Sequence, residues 1–381
     1  MEETRPTSAE IIVIGAGIAG ASVAAELAPH ASVILLEQES QPGYHSTGRS
    51  AAVFAPSYGP TPIRDLTRAS RAFYEAPPAG FTDHALFGPR PILMIARDDQ
   101  LGALDELIDL ISPETDVKRL DASALTEAQP LLRPGYASAA MLDMAGQDID
   151  VHALHHGYLR AFKAAQQTLV NGAAVTGLSK SGDTWTVETS KGAFTAPIVV
   201  NAAGAWAGEV GALAGAEAIG LTPKRRTAVT VADHATFETA HLPITIDVEE
   251  NFYLKPDAGR LLISPADETP VAPCDVQPEE LDVAICVDRI MTAFDLDIRR
   301  IESKWAGLRS FVADKAPVVG YSDVQPGFFW LAGQGGYGIQ SAPAMAKFAA
   351  SAVLGRPLPP SIADEGFDPI SVRPSRLRAA A

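Results

Sequence analysis

The chain opens on a sharp alternation of apolar runs and turns. Ile11–Ile14 is four consecutive β-branched residues, the pattern of a strand covered on both faces. It runs into GAGIAG, which puts Gly15, Gly17 and Gly20 in a G-x-G-x-x-G spacing. Residues 21–27 then read as a small-residue helix stopped near Pro29, and a second apolar strand, 32–36, ends at Glu37, 22 residues after Gly15. Strand, glycine turn, helix, strand and acid follow one another in the order that a dinucleotide fold requires. Gly15 supplies the tight turn, Gly17 lets the backbone approach a pyrophosphate, and Gly20 lets helix and strand pack closely. The free N–H groups at the helix start, around Ile18 and Ala19, face the phosphates. Glu37, with Gln38 beside it, is placed for a ribose diol.

The next stretch, QPGYHSTGRSAAVFAPSYG (41–59), has neither a helical nor a strand period. A nicotinamide-binding fold would continue with alternating strands and helices. A glycine- and serine-rich loop offers backbone N–H groups, hydroxyls (Ser46, Thr47, Ser50) and Arg49 to a pyrophosphate and a flavin edge, which favours FAD. Two later segments repeat the strand–turn–helix pattern: TAPIVVNAAGAWAGEV (195–210), preceded by a polar hairpin at 184–196, and FFWLAGQGGYGIQSAPAMAKFAASAVLG (328–355). The strand around Val175 is positioned for adenine. The helix N-terminus after the second glycine turn is positioned for the flavin N1/C2=O edge, where its dipole favours negative charge.

These elements predict an α/β protein: a Rossmann-like FAD-binding domain, discontinuous over 1–85, 150–220 and 310–381, with an inserted α+β substrate domain (86–149, 221–309) built on an antiparallel sheet. Alternation at 227–233 and 251–256 supports strands in the insert.

Composition narrows the function classes. Of 381 residues, 47% are apolar and 20% charged, enough for an ample core. A net charge of −16 argues against nucleic acid and against a basic membrane-facing patch. Cys274 and Cys286 fit no metal or CxxC pattern, and a reduced compartment follows. The acidic start MEETRPTSAE has no basic region of a secretory signal. The apolar run 11–27 holds three glycines and makes a poor membrane span. A cytoplasmic protein, or one peripheral to the inner membrane, with no integral membrane segment, is expected.

Six blocks in order carry a resemblance: QPGYHSTGRSAA (41–52), NAAGAW (201–206), PKRR (223–226), FYLKPDAG (252–259), WAGLRSFVAD (305–314) and QGGYGIQ (334–340). Through them the chain resembles, over essentially its whole length, the FAD-dependent amino-acid oxidoreductases of the D-amino-acid oxidase/glycine oxidase superfamily, whose fold is of the glutathione-reductase/D-amino-acid-oxidase type. Within that superfamily it is most similar to the bacterial D-arginine dehydrogenases. The resemblance implies oxidation of a D-amino acid to an imino acid, which hydrolyses to a 2-oxo acid and ammonia, by hydride transfer from Cα to flavin N5. It implies that Arg309 and Arg226 hold the substrate carboxylate, that Tyr58 and Tyr253 add hydroxyl contacts, and that Gly336 and Gln340 sit beside substrate and flavin. It adds His45, Ala51, Ala52, Ala203, Gly204, Trp206, Gly307, Gly335, Tyr337, Gly338 and Ile339 to the cofactor-facing set. The likeness is to members that hold FAD non-covalently, so His45 reads as a loop histidine rather than a flavin attachment point.

At two positions the chain departs from the arginine enzymes, which carry a histidine in place of Val53 and a glutamate in place of Ile92. A cationic side chain would lose its partner against methyl groups, so a neutral or apolar amino-acid side chain is expected, with Asp65 or Asp83 as the remaining sources of negative charge. Alternatives are a glycine, sarcosine, imino-acid or 2-hydroxy-acid oxidoreductase, or a non-catalytic flavoprotein subunit. The electron acceptor, a quinone, another carrier or O2, leaves no mark. His152, His155 and His156 read as one helix face without a metal, Trp305 and Trp206 as core, 275–288 as a solvated helix, and the basic tail 371–381 as surface.

Overall fold

A computed structural model describes residues 6–234 and 236–380; the first half of the acidic start, residues 1–5, lies outside them. Strands Ile11–Ile14 and Val33–Leu36 are buried along their whole length, as continuous β-branched and leucine runs require. They sit inside a six-stranded sheet with the order Val318–Tyr321, Phe328–Ala332, Ile198–Asn201, Ile11–Ile14, Val33–Leu36, Thr168–Val170. All neighbours are parallel except the first pair, which forms a hairpin. Three separate stretches of the chain therefore build one sheet. Helices Ile18–Leu27 and Ala342–Val353 cover one face, around Val13, Leu35, Val200 and Phe329. The hairpin sheet Val175–Ser181, Thr184–Thr189, Gly192–Ala196 covers the other through Trp185, Val187 and Phe194. Burying each such side chain contributes about 1.5–3 kcal/mol.

The second sheet has eight strands, in the order Ile301–Phe311, Thr222–Ala232, Arg260–Ser264, Tyr253–Asp257, Ile244–Asp247, Ile92–Ala96, Ala139–Asp143, Val117–Asp121. The sequence suggests a purely antiparallel sheet; one pairing departs from it. Ile244–Asp247 runs parallel to Ile92–Ala96, and the long connection between them passes through the first sheet, as a parallel pair requires a crossover rather than a tight turn. A small sheet of Val53–Phe54, Gln147–Ile149 and Phe87–Pro89 fastens the loop that begins at residue 41 to the junction of the two.

Two surface readings are corrected. The acid-rich run starts its helix only at Glu280, and Val283, Cys286, Ile290 and Ala293 form a stripe buried against the large sheet. The tail docks rather than floats: Val372 is fully buried and Arg376 pairs with Asp314. Both cysteines are free, Cys274 exposed and Cys286 buried. Among the described residues no helix is long and apolar enough to cross a membrane.

Candidate functional site

A continuous cleft runs between the two sheets, past the C-terminal ends of the parallel strands, in three adjoining stretches. Ligands of open α/β sheets bind at this edge.

The outer stretch is lined by Gly15, Gly17, Glu37, Gln38, His45, Val175, Ala203 and Trp206. Gly15 adopts φ +97°, and a Cβ there would fall 2.5 Å from the Ala202 carbonyl oxygen, so only glycine makes this turn. Gly20 does not line the cleft; a Cβ on it would fall 1.7 Å from the Gly15 carbonyl oxygen, which makes it a packing glycine. The Glu37 carboxylate accepts from Ala16 N–H (2.8 Å) and Glu39 N–H (2.9 Å). Burial raises its pKa, and the two backbone bonds act against that. Each oxygen keeps a lone pair for a ribose hydroxyl. His45 bonds Glu39 at 2.9 Å, and its ring lies 4.7 Å from Trp206. Trp206 is thus a wall of the cleft, not the core residue its sequence suggests; Trp305, by contrast, is half-buried beside the large sheet and donates to the Arg49 carbonyl.

The middle stretch is lined by Ile18, Ala19, Ser46, Thr47, Ser50, Ala51, Gly204, Gly307, Gly335, Gly336, Gly338 and Ile339. Ile18 N–H donates to Thr47 Oγ1 at 2.9 Å, while Gly17 N–H has no protein acceptor among the described residues. That unsatisfied donor, the glycine turn and the helix start fit a pyrophosphate. Arg49 also lines this stretch. Its guanidinium donates to Asp275, to the Val276 carbonyl (3.1 Å) and to the Ala306 carbonyl (2.9 Å). It ties the 275–276 segment to the cleft, and its guanidinium is already paired with a protein carboxylate. Tyr337 is not among the lining residues and packs on Tyr58 and Phe311.

The inner stretch is lined by Ala52, Val53, Tyr58, Ile92, Met94, Met141, Ile244, Ile246, Tyr253, Arg226, Arg309, Gly336, Gln340 and Glu250. The two arginines come from the antiparallel pair Thr222–Ala232 and Ile301–Phe311. Register sets Arg226 opposite Gly307 and Lys224 opposite Arg309, so the two guanidinium groups are diagonal neighbours on one face. Arg226 bonds Glu268 at 3.2 Å, and its pKa is lowered by burial and by Arg309. Arg309 has no hydrogen-bond or ion-pair partner among the described residues. Its guanidinium stacks where a Cβ of Gly336 would sit, 2.8 Å from Nη1. The Tyr253 hydroxyl is also without a hydrogen-bond partner among the described residues.

Two expected ligand contacts are engaged by the protein itself. The Tyr58 hydroxyl donates to Glu250 at 2.9 Å. The Gln340 amide accepts from Ala55 N–H (3.2 Å) and donates to the Tyr58 carbonyl (3.3 Å), so it clamps the loop over the pocket. Glu250 is the residue that sequence reasoning missed. It is the third residue of the polar turn VEEN (248–251) and adopts φ +57°, an unfavourable conformation held by the Asp247 cap. The acids considered earlier are elsewhere: Asp65 pairs with Arg68, and neither it nor Asp83 lines the pocket. His152 and His156 are exposed and His155 is buried against the glycine turn.

The family described as "FAD dependent oxidoreductase" matches residues 10–352. An uncharacterised oxidoreductase of Bacillus subtilis is 24% identical over 369 residues, 91% of this chain and 95% of its own length. The structure is similar to glycine oxidase from Geobacillus kaustophilus, with a TM-score of 0.81 and 21% identity over 92% of this chain and 96% of that one. It is similar in the same proportions to an FAD-bound L-α-glycerophosphate oxidase from Mycoplasma pneumoniae, with a TM-score of 0.82 and 18% identity over 92% and 96%.

Proposed function

This chain belongs to the DAO family of FAD-dependent oxidoreductases, and from that premise we propose that it oxidises free α-amino acids at the Cα–N bond, with a preference for D-amino acids bearing neutral, apolar side chains. The observation that carries the reading is Arg309: a guanidinium inside the cleft that makes no hydrogen bond or ion pair with any described residue. Its donors are open to a ligand carboxylate, and its planar fork takes a carboxylate through two bonds. Tyr253 adds a free hydroxyl on the same wall. Ile92, Met94, Met141, Ile244 and Val53 make the rest of the pocket apolar, which suits a side chain such as that of methionine, leucine or phenylalanine.

Gly17, the helix start at Ile18, Glu37 and the turn 335–338 are the residues that hold FAD. FAD, when bound, supplies the acceptor for the hydride leaving Cα. The protein's own part is orientation. Arg309 and Tyr253 fix the carboxylate, the apolar wall fixes the side chain, and the loop pinned by Gln340 excludes water. The substrate ammonium loses its proton to water or to a backbone carbonyl near Gly336.

The family's members act on varied substrates, and the similar structures carry names for both an amine and a glycerophosphate substrate; the choice of amino acid rests on the arginine, and the choice of D-isomer on the sequence blocks shared with D-arginine dehydrogenases. A second reading has one observation in its favour: Glu250 puts a carboxylate in the pocket, where it would pair with a cationic side chain. Anaerobic bleaching of the purified flavoprotein with paired D- and L-amino acids tests both. We expect D-Met, D-Leu and D-Phe to exceed D-Arg and D-Lys in kcat/KM. Faster reduction by D-Arg or D-Lys transfers the assignment to the second reading. Reduction by L-isomers overturns the stereochemistry, and no reduction by any amino acid overturns the substrate class. The acceptor that reoxidises the flavin is proposed to be a carrier such as a quinone, or O2.

A further inference from the structure

Helix Val151–Ala164 packs against helix Ile18–Leu27 at the back of the glycine turn. Two of its three histidines, His152 and His156, face out, but His155 is 4% exposed and reaches the turn itself. Its Nε2 lies 2.9 Å from the Ala16 carbonyl oxygen. A carbonyl only accepts, so Nε2 carries the proton and the neutral ring presents a lone pair on Nδ1. Burial lowers the pKa of this imidazole, with the bond to Ala16 opposing.

The same ring fills a second gap. A Cβ at Gly43 would fall 2.8 Å from its Cε1 and 3.1 Å from its Nδ1, and Gly43 adopts φ +77°. Gly43 in turn accepts from Gly48 N–H at 2.9 Å, closing the loop that holds Ser46 and Thr47. One imidazole is therefore wedged between the two backbone segments that line the phosphate part of the cleft.

The consequence follows from peptide geometry. The Ala16–Gly17 peptide is trans, so the Ala16 carbonyl and the Gly17 N–H point in opposite directions. Ala16 is held at both ends, its N–H by Glu37 and its carbonyl by His155. With the carbonyl tied back to His155, the Gly17 N–H, which has no protein acceptor among the described residues, is turned toward the cleft. We propose that His155 is a positioning residue for the cofactor: by holding the Ala16 carbonyl it aims the Gly17 N–H at the FAD pyrophosphate, and it does so without touching FAD. The proposal is independent of the amino-acid assignment.

The test uses holoenzyme and three variants: His155→Gln, whose amide nitrogen stands where Nε2 does; His155→Asn, equally polar but too short to reach Ala16; and His155→Leu, apolar. FAD release on dilution, read from flavin fluorescence, gives the dissociation constant, and ADP and adenosine serve as competitors. We expect His155→Asn and His155→Leu to bind FAD about ten- to hundred-fold more weakly, the range of one misaligned hydrogen bond to a charged group, with His155→Gln within a few-fold of the parent. ADP should lose affinity by the same factor and adenosine should not. Unchanged FAD binding in His155→Asn overturns the proposal, as does an equal loss for ADP and adenosine, or a His155→Gln protein no better than His155→Asn. The Asn and Gln pair decides the matter even where His155→Leu does not fold.

Discussion

Replacing Arg309 with methionine separates function from stability, because only the first is expected to fall. A ligand carboxylate gripped by the Arg309 fork gains two charge-assisted bonds, each worth about 1.5–3 kcal/mol in a shielded site. Losing both costs about 3–6 kcal/mol, a fall in kcat/KM of roughly 10²- to 10⁴-fold. Arg309→Lys keeps the charge but one bond of the two, and roughly 10- to 100-fold is expected. In the protein without substrate, however, Arg309 has no hydrogen bond or ion pair to lose among the described residues; Arg226 repels it and Glu250 attracts it. The two charges act in opposite directions, so ligand-free stability should stay within about 1 kcal/mol of the parent. Steady-state kinetics with D-Met and an artificial acceptor, set beside urea unfolding without substrate, measure both sides. An amine lacking the carboxylate provides the control, since it should react equally poorly with parent and variant. The reasoning fails if Arg309→Met keeps kcat/KM within about three-fold. It fails equally if that variant unfolds more easily by over about 1 kcal/mol, because the guanidinium would then be serving the fold.

Gly336→Ala places a Cβ 2.8 Å from Arg309 Nη1 and 2.9 Å from Cζ; the guanidinium must move, and KM for the preferred amino acid should rise about ten-fold or more with the fold intact, which kinetics and a thermal melt will show together. Tyr58→Phe keeps the ring contact with Tyr337 but removes the bond to Glu250, so about 1–2 kcal/mol of stability should be lost in urea unfolding. On the alkaline side, burial raises the pKa of Tyr58, Tyr74, Tyr158 and Tyr337, the last to about 12. A raised tyrosine pKa contributes stability that is complete below the unfolded value of about 10 and is lost above it. Thermal midpoints should hold level up to about that pH and then fall, with part of the tyrosinate absorbance withheld until the chain unfolds; full ionisation of the tyrosines in the folded protein would contradict this.

Much of the architecture is legible in one dimension. Ile11–Ile14 and Val33–Leu36 announce themselves by unbroken β-branching, and the glycine spacing between them allows few other structures. Both site arginines are likewise found from local blocks. What escapes is whatever depends on a side chain choosing between neighbours distant in sequence. The local sequence shows Arg49 as a cleft residue but not that it pairs with Asp275, more than two hundred residues later. Gln340 looks like a ligand contact until its amide meets the backbone of Ala55 and Tyr58. Glu250 sits in an ordinary polar turn, and only the pairing of Ile244–Asp247 beside Ile92–Ala96 brings that turn over the pocket.

The weaving of the six-stranded sheet has a consequence for how the enzyme comes into being. Ile11–Ile14 emerges from the ribosome early, yet its sheet neighbour Ile198–Asn201 and the next strand, Phe328–Ala332, come much later. Residues 335–338 of the cleft are made later still. The glycine turn is thus made long before the cleft behind it is complete, and firm retention of flavin should wait for Phe328–Ala332 and residues 335–338. Starving cells of flavin should therefore leave finished apoprotein rather than stalled or half-built chains, and loading becomes the last step of maturation.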